Sequence, residues 1–237
     1  MPRASRSNIE WRAYGQQDYG ATHDLELGHG EWAVLREHLA QYGVHARHSC
    51  VDVGCGAGRL TNALAEDFDV VHALDVSPDR LRDTSQVPNA DKVQLHLVDE
   101  PLIPLPADSV DLCISTHVME HIQDMHAIES YYREMYRVLR PGGCVLIHMP
   151  VIGAHRMIGS LRETARRRAK ESIKEVVLMA TRRLMRMGFT RLPWRLDKYH
   201  VFSFVELKGF MQSVGYQAIE CRILEWGGGH SYVFGKK

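Results

Sequence analysis

The stretch 51-VDVGCGAGRLTNAL-64 decides how the rest of the chain is read. An apolar run carrying one acid, Asp52, breaks into glycines at 54, 56 and 58, then restarts with helical periodicity. Glycine at alternate positions lets a backbone turn tightly and approach something closely. Strand, glycine turn and helix in that order open a β-α-β unit, and in an open sheet of such units ligands sit beyond the carboxyl ends of the strands. A dinucleotide loop places its third glycine one position later, where Arg59 stands here. An ionised Asp52 repels a pyrophosphate but pairs with an ammonium group, so the expected ligand carries a cation near this loop.

The same rhythm continues along the chain. Short apolar runs at 48–53, 69–74, 93–98, 110–115 and 143–149 read as strands, with helical patterns near 58–66, 78–85 and 123–139 between them. The last helix is expected to stop at 140-RPGG-143. Continuous apolarity points to strands buried on both faces, hence a parallel sheet with right-handed crossovers. Two later runs, 217–224 and 230–235, read as a hairpin that gives the sheet an antiparallel edge. The expected fold is α/β: a Rossmann-like, doubly wound, seven-stranded, mostly parallel sheet with an antiparallel C-terminal hairpin and a helical cap or lid. Four segments are expected: an N-terminal helical cap (1–45), the Rossmann-like core (46–150), a basic helical insertion or lid (151–200), and a C-terminal helix and hairpin (201–237).

Composition narrows the class. Formal net charge is zero over 237 residues, so no global field favours nucleic acid. The five cysteines include no C-x-x-C pair, which argues against a disulfide framework or zinc ribbon and for a reducing, cytoplasmic setting. No metal centre and no transmembrane segment are expected. The neutral total hides one bias: Arg156 to Lys198 holds 13 basic residues against four acidic ones. This stretch reads as a solvated face, a lid over the acceptor, or a peripheral contact with an anionic surface or phosphate-bearing acceptor.

Asp75 ends the second strand, 23 residues after Asp52, where a carboxylate can accept hydrogen bonds from both hydroxyls of a ribose. Ser77-Pro78 supplies the start of the helix that follows. With these residues in place, the chain from about residue 48 onward resembles the class I S-adenosylmethionine-dependent methyltransferases that act on small molecules. The segments 99-DEPLIPLPADSVD-111, 115-STHVMEHI-122, 134-EMYRVLRPGGCVLI-147 and 203-SFVELKGFMQSVGY-216 carry the rest of the likeness.

The resemblance implies S-adenosylmethionine as cofactor, S-adenosylhomocysteine as product, and a small-molecule or lipid-like acceptor. It assigns Asp52 to the methionine ammonium, Gly54, Cys55, Gly56 and Gly58 to the turn beneath it, Asp75 to the ribose and Val76 to adenine packing. Asp99 matches the acid that holds the adenine amino group, with Glu100 in place of the family's small residue. Thr116 and His117 match the end of the fourth strand that borders the cofactor. A hydroxyl acceptor needs a proton acceptor, and His148 and His121 are the candidate general bases. If the segment after the fourth strand is helical, His117 and His121 share a face. Two other readings remain: a binding protein that keeps the cofactor pocket without catalysis, and a methyltransferase whose acceptor phosphate is held by residues 156–198. Neither the acceptor atom nor the oligomeric state follows from the sequence.

Overall fold

A computed structural model of the chain describes residues 21–45, 47–122, 124–152, 202–224 and 230–237. The basic stretch 156–198 lies outside them. In chain order the elements are α1 (Ala21–Gln41), β1 (Ser49–Val53), α2 (Arg59–Asp67), β2 (Val70–Asp75), α3 (Pro78–Thr84), β3 (Val93–Leu97), β4 (Val110–Ser115), α4 (Met125–Val138), β5 (Leu139–His148), β6 (Val151–Ile152), β7 (Phe202–Ser203), α5 (Phe204–Val214), β8 (Gln217–Leu224) and β9 (His230–Lys236). Short 3₁₀ turns occupy Ala90–Lys92 and Met119–His121.

The main sheet has seven strands in the order β3-β2-β1-β4-β5-β9-β8. Strands β1 to β5 are parallel, and β9 runs antiparallel to both β5 and β8. Every residue of β1 and of β4 is buried, as continuous apolarity requires of strands covered on both faces. The period of two then sorts side chains between the layers. Cys50, Leu112, Ile114, Leu146 and Phe234 meet Trp32, Leu35, Leu60 and Leu64 of α1 and α2. Val51, Val53, Cys113, Val145, Ile147 and Val233 meet Tyr132, Met135, Leu207 and Met211 of α4 and α5. At about 1.5–3 kcal/mol for each large apolar side chain taken from water, these two layers supply the main stabilisation. Asp52 shares the parity of Cys50, so its carboxylate points to the α1/α2 side.

One local expectation is corrected, and two features go beyond the sequence reading. Within the expected N-terminal helical cap (1–45), α1 begins at Ala21 and runs through Gly28 and Gly30. Gly28 is there because α1 lies against α2: a Cβ on it would sit 1.9 Å from the Arg59 carbonyl oxygen. The 140-RPGG-143 stop does end a helix, but no loop follows; β5 starts at Leu139, directly after Val138, and includes those four residues. Its pairing with β4 is irregular at that point, and Gly142 takes φ +82°. Thirdly, β6 and β7 form a separate two-stranded parallel pair, so the chain leaves after β5 and re-enters beside its point of exit.

Strand order reverses between β1 and β4. The register sets Asp52 level with Ala73 and Ile114, Ser115 level with Ile147, and His148 level with Tyr232. The carboxyl ends of β1, β2, β4 and β5 thus form one rim, where this architecture places ligands.

Candidate functional site

The glycine turn is built as a rigid cradle. Gly54, Gly56 and Gly58 all have positive φ, at +79°, +57° and +85°. The Gly54 and Cys55 amides both donate to the Leu74 carbonyl, at 2.8 and 3.0 Å. Gly56 is held at both ends: its amide donates to Asp75 Oδ2 at 2.9 Å, and its carbonyl accepts from Thr84 Oγ1 at 2.8 Å. A Cβ on Gly54 would lie 2.3 Å from Val118 Cγ2, whereas one on Gly56 would meet nothing within 4 Å. Gly54 therefore serves packing, and Gly56 faces open space. Cys55 is buried against Thr84, and burial raises its thiol well above the usual range, so it is no nucleophile.

Asp75 also accepts the Ser77 amide, at 2.8 Å on Oδ1. With the Val76 amide also bonded to it, the carboxylate keeps acceptor capacity for a ligand hydroxyl. Burial raises its pKa, against the backbone donors that lower it. Ser77 caps α3 by accepting from the Arg80 amide, with Pro78 at the first helical position.

Asp52 is buried and accepts from Thr61 Oγ1 at 2.7 Å. Burial drives its pKa up to about 6, opposed by the Thr61 hydrogen bond and the Arg59 charge. A carboxylate this poor in positive charge is suited to a ligand ammonium. Val76 is half-buried beside Asp75, whereas Asp99 and Glu100 lie exposed in the bend after β3. Thr116 is buried at the end of β4, which is tied to β1 by a 2.9 Å bond from Ser115 Oγ to the Val53 carbonyl.

Beyond this rim the structure gathers a polar cluster. Glu31 of α1 is fully buried; it pairs with Arg59 and accepts the Tyr232 hydroxyl at 2.8 Å. His117 Nε2 lies 4.0 Å from Glu31 Oε1, and its Nδ1 is 3.5 Å from Glu120 Oε1. The other Glu120 oxygen is 3.1 Å from His148 Nδ1. The His148 ring, 3% exposed, sits 4.2 Å from the His117 ring and 5.3 Å from that of Tyr232. Burial pushes the Glu120 carboxyl up, but the His117 and His148 imidazoles outweigh it and hold it down at about 2.

The expectation for His117 and His121 is corrected here. The segment is a 3₁₀ turn over Met119–His121 and His117 lies outside it at φ +58°, so the two do not share a helical face. His117 and Glu120 meet in its place. His121 is half-buried, 3.7 Å from Glu120 Oε1, and burial lowers its pKa. Glu31 and Tyr232 escaped the sequence reading, and Arg59 entered it only as the residue after the last glycine of the turn. Only an acid on the otherwise apolar side of a helix, four residues before Leu35, hinted at Glu31.

Residues 51–147 match the methyltransferase domain family. Among curated relatives, a malonyl-[acyl-carrier protein] O-methyltransferase from Serratia marcescens is 30% identical over 149 residues, 62% of this chain and 53% of that protein. Ajmaline N-methyltransferase from Rauvolfia serpentina is 31% identical over 41% of this chain and 34% of its own length. The chain thus spans about half, or less, of the curated relatives it matches. A S-adenosylmethionine-dependent methyltransferase from Aquifex aeolicus superposes with TM-score 0.53 at 18% identity, covering 84% of this chain and 87% of that one. Another from Methanosarcina mazei gives 0.57 at 16%, covering 84% and 96%. The glycine turn, Asp52 and Asp75 fall within the residues that match the methyltransferase domain family, and the strand order is similar to the fold of solved S-adenosylmethionine-dependent methyltransferases.

Proposed function

We propose that this chain transfers a methyl group from S-adenosylmethionine to a small-molecule or lipid-like acceptor by in-line displacement. The observation that carries the reading is the pairing of an open cradle at Gly56, flanked by Asp75 and Asp52, with a cluster of histidines and carboxylates on the same rim. The residues present fit the cofactor. Asp75 would accept the ribose hydroxyls, Asp52 would face the ammonium, Gly56 would let the nucleoside approach, and Val76 would pack against adenine. Bound there, the cofactor supplies an activated methyl on a sulfonium, so the protein's share is positioning and exclusion of water.

The cluster supports the acceptor side of this reading. His117 is its most exposed member, with its side chain 40% exposed, while Glu120 and His148 are buried. An acceptor proton would therefore be handled through His117 and Glu120, with the candidate base His148 acting from the second row. His121 lies 3.7 Å from the same Glu120 oxygen as His117 and is the weaker candidate.

Calorimetric titration with S-adenosylhomocysteine and, separately, with NAD tests the cofactor. Binding of the first and not the second is expected; tight NAD binding alone would overturn the reading. Transfer of labelled methyl from the cofactor into a metabolite extract tests catalysis. Binding without transfer across broad extracts would favour a non-catalytic binding protein.

A further inference from the structure

His117, Glu120 and His148 each offer one donor atom, all within 4.8 Å of one another. We propose that these three side chains form a binding site for a divalent cation of the zinc class, with one coordination position left open. His117 comes from the loop after β4, Glu120 from the 3₁₀ turn and His148 from the end of β5. The nearest donor separations are 3.5 Å from His117 Nδ1 and 3.1 Å from His148 Nδ1 to the Glu120 oxygens. Donors about 2.0–2.2 Å from a tetrahedral ion lie roughly 3.3–3.5 Å from each other, so little movement would close the site.

Three further observations agree. The first is charge: the ion-pair partners of Glu120 among the described residues are His117, His121 and His148, with no Lys or Arg. Among the described residues, the Arg59 guanidinium is engaged by Glu31. Buried carboxylates are paired or coordinate metals, and a cation between the imidazoles would complete this one. The second is what backs the ligands. Glu31 stands behind His117 on its Nε2 side and is itself held by the Tyr232 hydroxyl. A carboxylate behind a ligating imidazole fixes its tautomer and leaves the other nitrogen, here Nδ1, for the metal. The third is conformation. His117 holds φ +58°, which costs a non-glycine residue about 1–3 kcal/mol and persists where surroundings impose it.

Two imidazoles and one carboxylate suit zinc, cobalt(II) or iron(II) better than magnesium or calcium, which favour all-oxygen sets. Three protein ligands with a fourth position open is the arrangement of a working site, since a closed structural site uses four. The His117 side chain is 40% exposed, so solvent reaches the site. An acceptor hydroxyl or carboxyl held there would lose its proton more readily, which replaces a free histidine base. That consequence rests on the methyltransferase reading; the metal site itself does not.

The test uses the full chain, stripped with chelator and titrated with cobalt(II) and then zinc(II). Uptake of one cobalt per chain, with visible d–d absorption bleached by zinc, is expected. His117→Ala and Glu120→Gln should each weaken cobalt binding by at least tenfold, and exposed His126→Ala should leave it unchanged. His148→Ala serves as a third variant once circular dichroism shows it folded. Absence of stoichiometric uptake, or uptake equal in His117→Ala and the parent, overturns the site. Titration with S-adenosylhomocysteine on the same samples separates the two readings: cobalt uptake without nucleoside binding supports this site and sinks the function, and the converse does the reverse.

Discussion

The Gly56 amide donates to Asp75 Oδ2 at 2.9 Å, which ties the turn after β1 to the acid that ends β2. The loop and the carboxylate expected to hold two different parts of one nucleoside are thus set at a fixed spacing before any ligand arrives. Such preorganisation lowers the ordering cost of binding.

Two glycine substitutions in that turn should behave differently. Gly56→Ala places its Cβ in open space, so its cost is the left-handed backbone alone, about 1–2 kcal/mol. The variant should fold and lose S-adenosylhomocysteine binding in calorimetry. Gly54→Ala puts a Cβ 2.3 Å from Val118 and should lose folded protein as well. Equal nucleoside affinity in Gly56→Ala and the parent would remove Gly56 from the cradle.

Asp52 predicts a trade between stability and binding. Its folded pKa of about 6 lies above the 3.8 of the free carboxyl, so the folded state holds this proton more tightly than the unfolded one. That contribution is present below pH 3.8 and is lost as pH rises towards about 6, after which it is flat. At neutral pH the buried charge costs about 3 kcal/mol, so Asp52→Asn, which still accepts from Thr61, should raise stability towards urea by up to that amount. The gain should vanish below about pH 4. The same variant should bind S-adenosylhomocysteine less tightly; unchanged affinity would mean that Asp52 does not meet the ammonium.

Helix α1 should respond sharply to its glycines. A Cβ at Gly28 overlaps the backbone of Arg59, so Gly28→Ala should displace α1, strain the Glu31–Arg59 pair and lower the thermal midpoint by well over 5 °C. Gly209→Ala in α5 meets nothing within 4 Å and should stabilise by about 0.5–1 kcal/mol. Paired thermal melts check both.

Tyr232→Phe removes the hydroxyl that donates to Glu31 and leaves a fully buried carboxylate one donor short. A loss of about 1–3 kcal/mol in chemical denaturation is expected. A neutral result would show that the Arg59 pair alone satisfies Glu31.

Much of the architecture was legible because its signals are local. The run 110-VDLCIS-115 became β4 with the expected limits, and Ser77-Pro78 starts α3, since buried strands and helix caps write themselves in a few adjacent residues. The same holds for the place of Asp52, the glycines and Asp75 at one end of the sheet, which follows from strand, turn and helix in order. The start of α1 was illegible: Gly28 and Gly30 weaken a helix by propensity, and packing on Arg59 overrides them.

The chain's own order of residues therefore determined the fold, the rim and the glycine cradle, each encoded within one strand-turn-helix unit. Tertiary structure alone decided the cluster beyond it. Glu31, the His117–Glu120 loop, His148 and Tyr232 come from four separate segments, and register and strand order bring these within a few ångströms of one another. Sequence spacing offered His121 to His117 as a helical neighbour, but a 3₁₀ turn and a left-handed His117 gave that place to Glu120 and His148. Periodicity reports a residue's face on its own element; it carries no information about which faces later meet.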